Sequence, residues 1–380
     1  MKELTVEEKI EIIKRNTEEI IEEEELKEAL KKGEKLKHYI GFEISGQPHL
    51  GHGFICMSKV KDLHDAGIDV SIFLADYHSW INNKFGGDME FIQKVGVPFF
   101  KEVLIASYKA VGGNPKDLKF ILGSEFYHNN DKYWQTVIDV SKQTTLARML
   151  RSITIAGRQE GEAVEFAMLL YPAMQVADIF SLGVNIAHAG NDQRKAHVIA
   201  RDVALKMKYS PLLNSKKEKI KPIAIHGHLI LGLQKPPIWP IPKDNLQEVW
   251  SQMKMSKSIP NSAIFMLDDE ENVNKKIMNA FCPEGETEFN PLLDWAKYLV
   301  FTNEKSFLEV ERPAKFGGNK KYSSYQELEK DFSEKKLHPL DLKKAMAKKI
   351  NELLKIVREH FSQPKLKELK EKIEKARITR

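Results

Sequence analysis

The amino-acid sequence predicts an α/β fold: a doubly wound parallel sheet with helices on both faces, followed by an all-α C-terminal domain. Two observations predict it. From residue 37 to about 230, short β-branched and apolar runs alternate with stretches of helical period, whereas beyond residue 262 only helical patterns remain. At 380 residues the chain is long enough for two domains, one of them able to bury a sheet between helix layers.

Taken in order, residues 5–32 read as amphipathic helices that end near Gly33, and Lys37 to Phe42 as the first strand, on which Tyr39, Gly41 and Glu43 share a face. Small residues then turn the chain into a helix that carries His49 and His52 and stops at Gly67. Ile68 to Ala75 is a buried parallel strand, Phe99 to Val111 a helix closed by Gly112-Gly113, Leu118 to Leu122 a strand, and Tyr133 to Arg151 a helix. Tyr171 to Leu182 is a short helix with Pro172 in its first turn, and Ile186 to Gly190 is a strand whose turn opens a helix reaching Lys208. Pro222 to Ile230 reads as one more strand, and Lys235 to Asp244 as a proline-extended loop. The expected divisions are a catalytic domain over 1–250 with a connective insertion at about 125–170, a linking loop over 251–261, and a helical domain over 262–380.

Composition narrows the class. Hydrophobic content of 42% with 30% charged residues is that of a globular protein, and no apolar run suits a membrane span. Met1 to Glu28 is acidic and lacks an apolar signal core, so a cytoplasmic protein is expected. Cys56 and Cys282 are far apart and form no CxxC pair, which argues against a disulfide or zinc framework; no metal site is expected. Residues 315–380 hold 19 Lys+Arg against 10 Asp+Glu, residues 1–30 hold 5 against 11, so a polyanion such as nucleic acid would be steered to the C-terminal end.

Three stretches carry chemistry. Gly41 to Gly53 is a strand, a small-residue turn and a helix start, an arrangement that lets phosphate approach backbone N–H groups. His49 and His52 lie on one helical face, a spacing that by itself serves capping or metal ligation equally well. On the helix from Tyr171, the polar residues Tyr171, Gln175 and Asp178 share a face within strongly apolar surroundings, so Gln175 and Asp178 require specific partners. Lys254, Met255, Ser256, Lys257 and Ser258 form a loop of ammonium and hydroxyl groups suited to a polyphosphate.

His49-Leu50-Gly51-His52 and Lys254-Met255-Ser256-Lys257-Ser258, in that order, resemble the paired HIGH and KMSKS signatures of class I aminoacyl-tRNA synthetases, with Leu50 in place of isoleucine. Their Rossmann-like catalytic fold is thereby implied. Over nearly the whole chain, segments such as Tyr39 to Glu43, Tyr171 to Asp178, Asp192 to Lys195, Arg312 to Gly318 and Leu337 to Lys343 are similar to tyrosyl-tRNA synthetases of the archaeal and eukaryotic kind. The resemblance implies that Tyr39 and Asp178 bond the substrate phenol, and that Tyr171, Gln175 and Gln193 hold its amino group, with His78 in the same pocket. It assigns ATP to His49, His52, Gly41, Gly46, Gly190, Asp192 and the Lys254 to Ser258 loop, with Mg²⁺ travelling with ATP and no bound organic cofactor. It implies tRNA(Tyr) as partner, with Arg151, Arg194 and Lys195 near the acceptor end and Phe316, His338 and Asp341 at the anticodon, and a homodimer. Tryptophanyl-tRNA synthetase shares fold and signatures and is the alternative within the class; a catalytically inactive, synthetase-like RNA-binding protein is the alternative outside it. Retention of both histidines and both lysines favours an enzyme.

Overall fold

The computed structural model describes residues 4–158, 161–241, 246–257, 259–303 and 305–376. Six strands, β1 (Thr17–Ile21), β2 (Lys37–Glu43), β3 (Asp69–Ala75), β4 (Lys119–Leu122), β5 (Ile186–Gly190) and β6 (Ile223–Gly227), form one sheet in the order β1-β6-β5-β2-β3-β4. All neighbours are parallel except β1, which runs antiparallel to β6. From β2 the chain winds outward through β3 and β4, then returns to the other side of β2 for β5 and β6. Strand order therefore reverses between β2 and β5, where a crevice opens beyond the carboxyl ends of the strands.

Period-two alternation divides the apolar residues between two cores, one on each face. Ile40, Phe42, Ile72, Leu74 and Ile225 face the core that also receives the C-terminal helices, while Tyr39, Phe73 and Ala187 face the other. On the first face, helix Pro339–His360 packs on helix Val97–Ala110, with Phe361 edge-on to Phe99 at 5.6 Å and His360 Nε2 2.7 Å from Glu102. No described helix is long and apolar enough to cross a membrane.

The structure departs from the sequence reading in several places. Thr17–Ile21, expected within a helix, is strand β1: Asn16 and Glu22 adopt positive φ at its two ends, which stops a helix on either side, and β6 supplies the pairing. The expected helix Tyr133 to Arg151 is two helices, Asp131–Lys142 and Leu146–Ser152, because Thr145 caps the second through its side chain. The C-terminal part, expected to be all helical, also contains a two-stranded antiparallel ribbon, Leu308–Val310 with Lys320–Tyr322, followed by helix Tyr325–Ser333.

A short pairing fixes the loop of lysines relative to the turn of histidines. Leu50 N–H donates to Ile264 O at 3.1 Å and Met266 N–H to Pro48 O at 2.9 Å. Gly53 sits beneath this pairing; a Cβ there would lie 2.2 Å from Met266 Sδ, and Met266 is fully buried. Gly53→Ala should destabilise the protein by about 1–3 kcal/mol in denaturant unfolding through overpacking. Truncation of Met266 in the same chain should reduce that penalty to under about 0.5 kcal/mol, since the two side chains compete for one space.

Candidate active site

Asp178, on helix Leu170–Ser181, is buried behind the crevice on the face of the sheet that carries Tyr39. The Tyr127 hydroxyl donates to its Oδ1 at 2.9 Å. His78 Nε2 lies 3.9 Å from Oδ2, and the His78 ring stands edge-on to Tyr171 with centroids 4.6 Å apart. Burial pushes the Asp178 carboxyl up to about 8, against the opposing hydrogen bond from Tyr127. Burial and the nearby Asp178 hold the Tyr39 phenol well above its ordinary value. Both groups thus remain neutral in mildly acidic solution.

One helical turn from Asp178, Gln175 Nε2 donates to Gln193 Oε1 at 3.2 Å, and Gln193 Nε2 donates to Ile155 O at 2.8 Å. Gln175 Oε1 is then buried with no hydrogen-bond partner among the described residues, an acceptor suited to an ammonium group. Tyr171, Gln175 and Asp178 share a face as their spacing predicts. Tyr127 is a partner that sequence reasoning missed: it comes from the short helix Gly123–Tyr127 after β4, and only its place beyond the carboxyl end of a strand could have flagged it.

On the other side of β2, the chain turns at Gly46 with φ of +54°, and His49 and His52 follow with ring centroids 4.0 Å apart. His49 Nδ1 accepts from Gly51 N–H at 3.1 Å, and His52 Nδ1 is buried with no partner among the described residues. Burial, reinforced by Lys257 and Lys254, holds both imidazoles well below their ordinary range, so both are neutral at pH 7. Neutral rings present one N–H each without the cost of a buried charge.

The lysine loop closes onto this turn. Lys257 Nζ donates to the Ser45 carbonyl and, at 3.0 Å, to Ser45 Oγ, and it stands 5.1 Å from the centre of the Phe100 ring. Burial pushes its ammonium down to about 7, with Glu43 opposing the fall. Lys254 Nζ reaches the turn after β5 and pairs with Asp192 Oδ2 at 2.9 Å, beside Gly190. The histidine turn, the lysine loop and the β5 turn are thereby brought together across the crevice. The Met255 side chain is buried in the core, which leaves its main chain for the expected ATP contact, and its N–H donates to Ile230 O at 2.8 Å, so it also anchors the loop. Ser256 lies in the loop beside it, and Ser258 lies outside the described residues.

The basic candidates are disposed around the same turn. The Arg194 guanidinium grips Glu19 of β1 with both Nε and Nη2, at 2.7 and 2.9 Å, and Lys195 Nζ donates to Arg151 O at 2.8 Å. In the C-terminal part, Phe316 is 61% exposed, and His338 caps helix Pro339–His360 by accepting Leu340 N–H on Nδ1 at 3.1 Å. Asp341 lies in the first turn of that helix. Arg312, given no role by the sequence reading, donates to Gly318 O and to Lys336 O, each at 2.8 Å, and so stitches the turn after Phe316 to the segment before His338.

Comparison with known proteins agrees with this geometry. A family model described as tRNA synthetases class I (W and Y) matches residues 31–355. The tyrosine–tRNA ligase of Thermococcus kodakarensis is 57% identical over 360 residues, covering 94% of this chain and 96% of that protein. The crystal structure of a tyrosyl-tRNA synthetase from Pyrococcus horikoshii complexed with L-tyrosine superposes with a TM-score of 0.94 at 51% identity, over 97% of this chain and all of that one. A tryptophanyl-tRNA synthetase from Aeropyrum pernix shares the fold at a TM-score of 0.64, with 19% identity over 95% of this chain and 86% of that one. The chain belongs to the tryptophan and tyrosine family of class I tRNA synthetases, alongside the archaeal tyrosine–tRNA ligases.

Proposed function

We infer that the chain is a tyrosine–tRNA ligase, which joins L-tyrosine to ATP as tyrosyl-adenylate and passes the tyrosyl group to tRNA(Tyr). The observation that carries the reading is the buried Asp178 carboxyl, ringed by Tyr39, Tyr127 and His78, on one side of a crevice lined on the other by His49, His52 and Lys257. A pocket built to hydrogen-bond a hydroxyl rejects the analogue that lacks it, because its own buried groups are then left unpaired; tyrosine-activating enzymes are themselves the standard example. The Aeropyrum pernix tryptophan enzyme shares the fold at 19% identity, against 51% for the Pyrococcus horikoshii tyrosine enzyme.

In this reading the substrate carboxylate attacks the α-phosphorus of ATP, the bond to the bridging oxygen breaks, and pyrophosphate leaves. A hydroxyl of the terminal adenosine then attacks the carbonyl carbon and AMP departs. No side-chain nucleophile takes part, so the protein contributes placement and charge stabilisation. Gln175 Oε1, buried and unpaired, is the acceptor for the α-ammonium. The neutral His49 and His52 donate to phosphate oxygens, and Lys257, whose charge is weakened by burial, regains it beside an anion. Asp192 is engaged by Lys254, and Glu43 accepts from Asn82 at 2.6 Å, which favours Mg²⁺ held by the ATP phosphates over a site of protein carboxylates.

The region from about residue 262 is read as the anticodon-binding domain, with the exposed Phe316 and the nearby His338 as stacking platforms and Asp341 as the edge contact. A homodimer is supported by exposed apolar residues in the 125–170 segment, Ile138 at 60%, Leu146 at 64% and Phe166 at 79% exposure. A translation enzyme of this kind acts in the cytoplasm.

Asp178→Asn should lower tyrosine-dependent ATP–pyrophosphate exchange by about 10- to 100-fold through KM for tyrosine, with ATP binding retained; equal loss of both would make Asp178 structural. The same variant reports on the carboxyl itself. Because burial pushes the Asp178 carboxyl up to about 8 from the ordinary aspartate range, the folded chain holds a proton there that the unfolded chain releases, so the stability Asp178 contributes is lost as pH rises through that window. The Asn variant should lack that slope in melting temperatures measured from pH 5 to 8. Phe316→Ala should reduce tRNA charging by about tenfold and spare adenylate formation, as loss of one stacked base does; unchanged charging removes Phe316 from the anticodon site. Sedimentation should give twice the chain mass of 43.7 kDa for the wild type, and a monomer for Ile138→Asp with Phe166→Asp.

A further inference from the structure

His228, just past strand β6, joins three parts of the chain that the reading above treats separately. Its Nε2 donates to Asp294 Oδ1 at 2.7 Å, on helix Pro291–Trp295, and its Nδ1 lies 3.7 Å from Glu18 Oε2 on β1. The ring is stacked on Tyr298, centroids 3.9 Å apart and planes 13° apart, with Trp250 edge-on at 5.3 Å. Burial opposes the charged form, but the two carboxylates outweigh it and push the imidazole up to about 9. His228 is therefore an imidazolium at neutral pH, held between two anions.

Each anion has a second partner. Asp294 Oδ2 accepts Leu231 N–H at 2.8 Å, and the Trp295 indole donates to Leu231 O at 2.8 Å, so this helix grips both polar groups of one residue. Leu231 forms an antiparallel bridge with Lys254, flanked by Met255 N–H to Ile230 O at 2.8 Å and Gly232 N–H to Met253 O at 2.7 Å. Glu18 Oε1 accepts from Asn191 Nδ2 at 2.9 Å, one residue before Asp192, whose Oδ2 pairs with Lys254 Nζ at 2.9 Å. Two routes from the imidazolium thus end on the same lysine: one through its backbone, the other through its counter-ion.

We propose that His228 is a positioning residue for the activation step: by binding Asp294 and Glu18 together it holds the backbone of Lys254 and the carboxylate of Asp192 in register, and so sets where the Lys254 ammonium meets polyphosphate. The proposal rests on the ATP-binding reading of the crevice. It makes the C-terminal helices, through Asp294 and Trp295, part of the support of the catalytic loop. Loss of the imidazolium leaves two carboxylates facing each other without their shared cation, and they relax apart, each taking its end of Lys254's anchorage with it.

The test combines amide hydrogen exchange with kinetics on the full chain. In His228→Gln, the amides of Leu231, Gly232 and Met255 should exchange about tenfold faster, with those of β2 and β3 unchanged. In tyrosine-dependent ATP–pyrophosphate exchange, KM for ATP should rise about tenfold while KM for tyrosine stays within about twofold. Placed on Lys254→Ala, the same substitution should add less than about twofold, because the residue it acts through is gone. Glu18→Gln, on the exposed edge strand, should shift KM for ATP in the same direction by less, and stands in if the histidine variant does not fold. Faster exchange throughout the chain, an equal rise in both KM values, or effects of His228→Gln and Lys254→Ala that multiply would overturn the proposal. A wild type without tyrosine-dependent exchange would sink the ligase reading, while the amide exchange at Leu231 and Met255 would still decide for or against His228.

Discussion

The site depends on a pairing of two backbone segments more than on any side chain. Residues 48–50 exchange hydrogen bonds with 264–266, which ties the turn carrying His49 and His52 to the stretch that follows the lysine loop. Because Lys254 and Lys257 sit only a few residues before that stretch, their reach is set by it: Lys257 touches Ser45 and Lys254 touches Asp192. Gly53 is what lets the two segments approach, since Met266 fills the space where a side chain would stand.

Around that contact the electrostatics follow from burial. The imidazoles of His49 and His52, the ammonium of Lys257 and the carboxyl of Asp178 are all pushed toward their neutral forms. A site in that condition holds little charge of its own until a polyanion or a zwitterion enters, and each incoming charge then strengthens the protein charge it meets. Groups that keep their charge do so in pairs: Arg194 with Glu19 and Lys254 with Asp192 toward the solvent, and His228 with Asp294 in a largely buried position. These pairs hold the β1 edge, the β5 turn and the C-terminal helices against one another.

Much of this is legible beforehand. The strands β2 to β6 and their helices follow from apolar runs and glycine stops, and the alternation that puts Tyr39, Gly41 and Glu43 on one face of their strand is the one that separates Tyr39 from Ile40 in the two cores. Tyr171, Gln175 and Asp178 were singled out because three polar residues on one face of an apolar helix need partners. What escaped was whatever depended on a distant neighbour. Thr17–Ile21 carries too weak a pattern to read as a strand without β6 beside it, and the ribbon at Leu308–Val310 and Lys320–Tyr322 is too short to show a period.

The sequence by itself determined the kind of elements, the two signature segments and the residue types available to bind a phenol and a polyphosphate, because periodicity and turn chemistry are local properties of a chain. The tertiary structure alone decided which of those groups share a crevice. It brought Tyr127 to Asp178 across 51 residues, Lys254 to Asp192 across 62 and Arg312 to the backbone before His338, and it withdrew the Met255 side chain into the core. Those outcomes follow from how the sheet winds about the β2–β5 reversal and from the helices that close over it, and strand order is not encoded in any single stretch of residues.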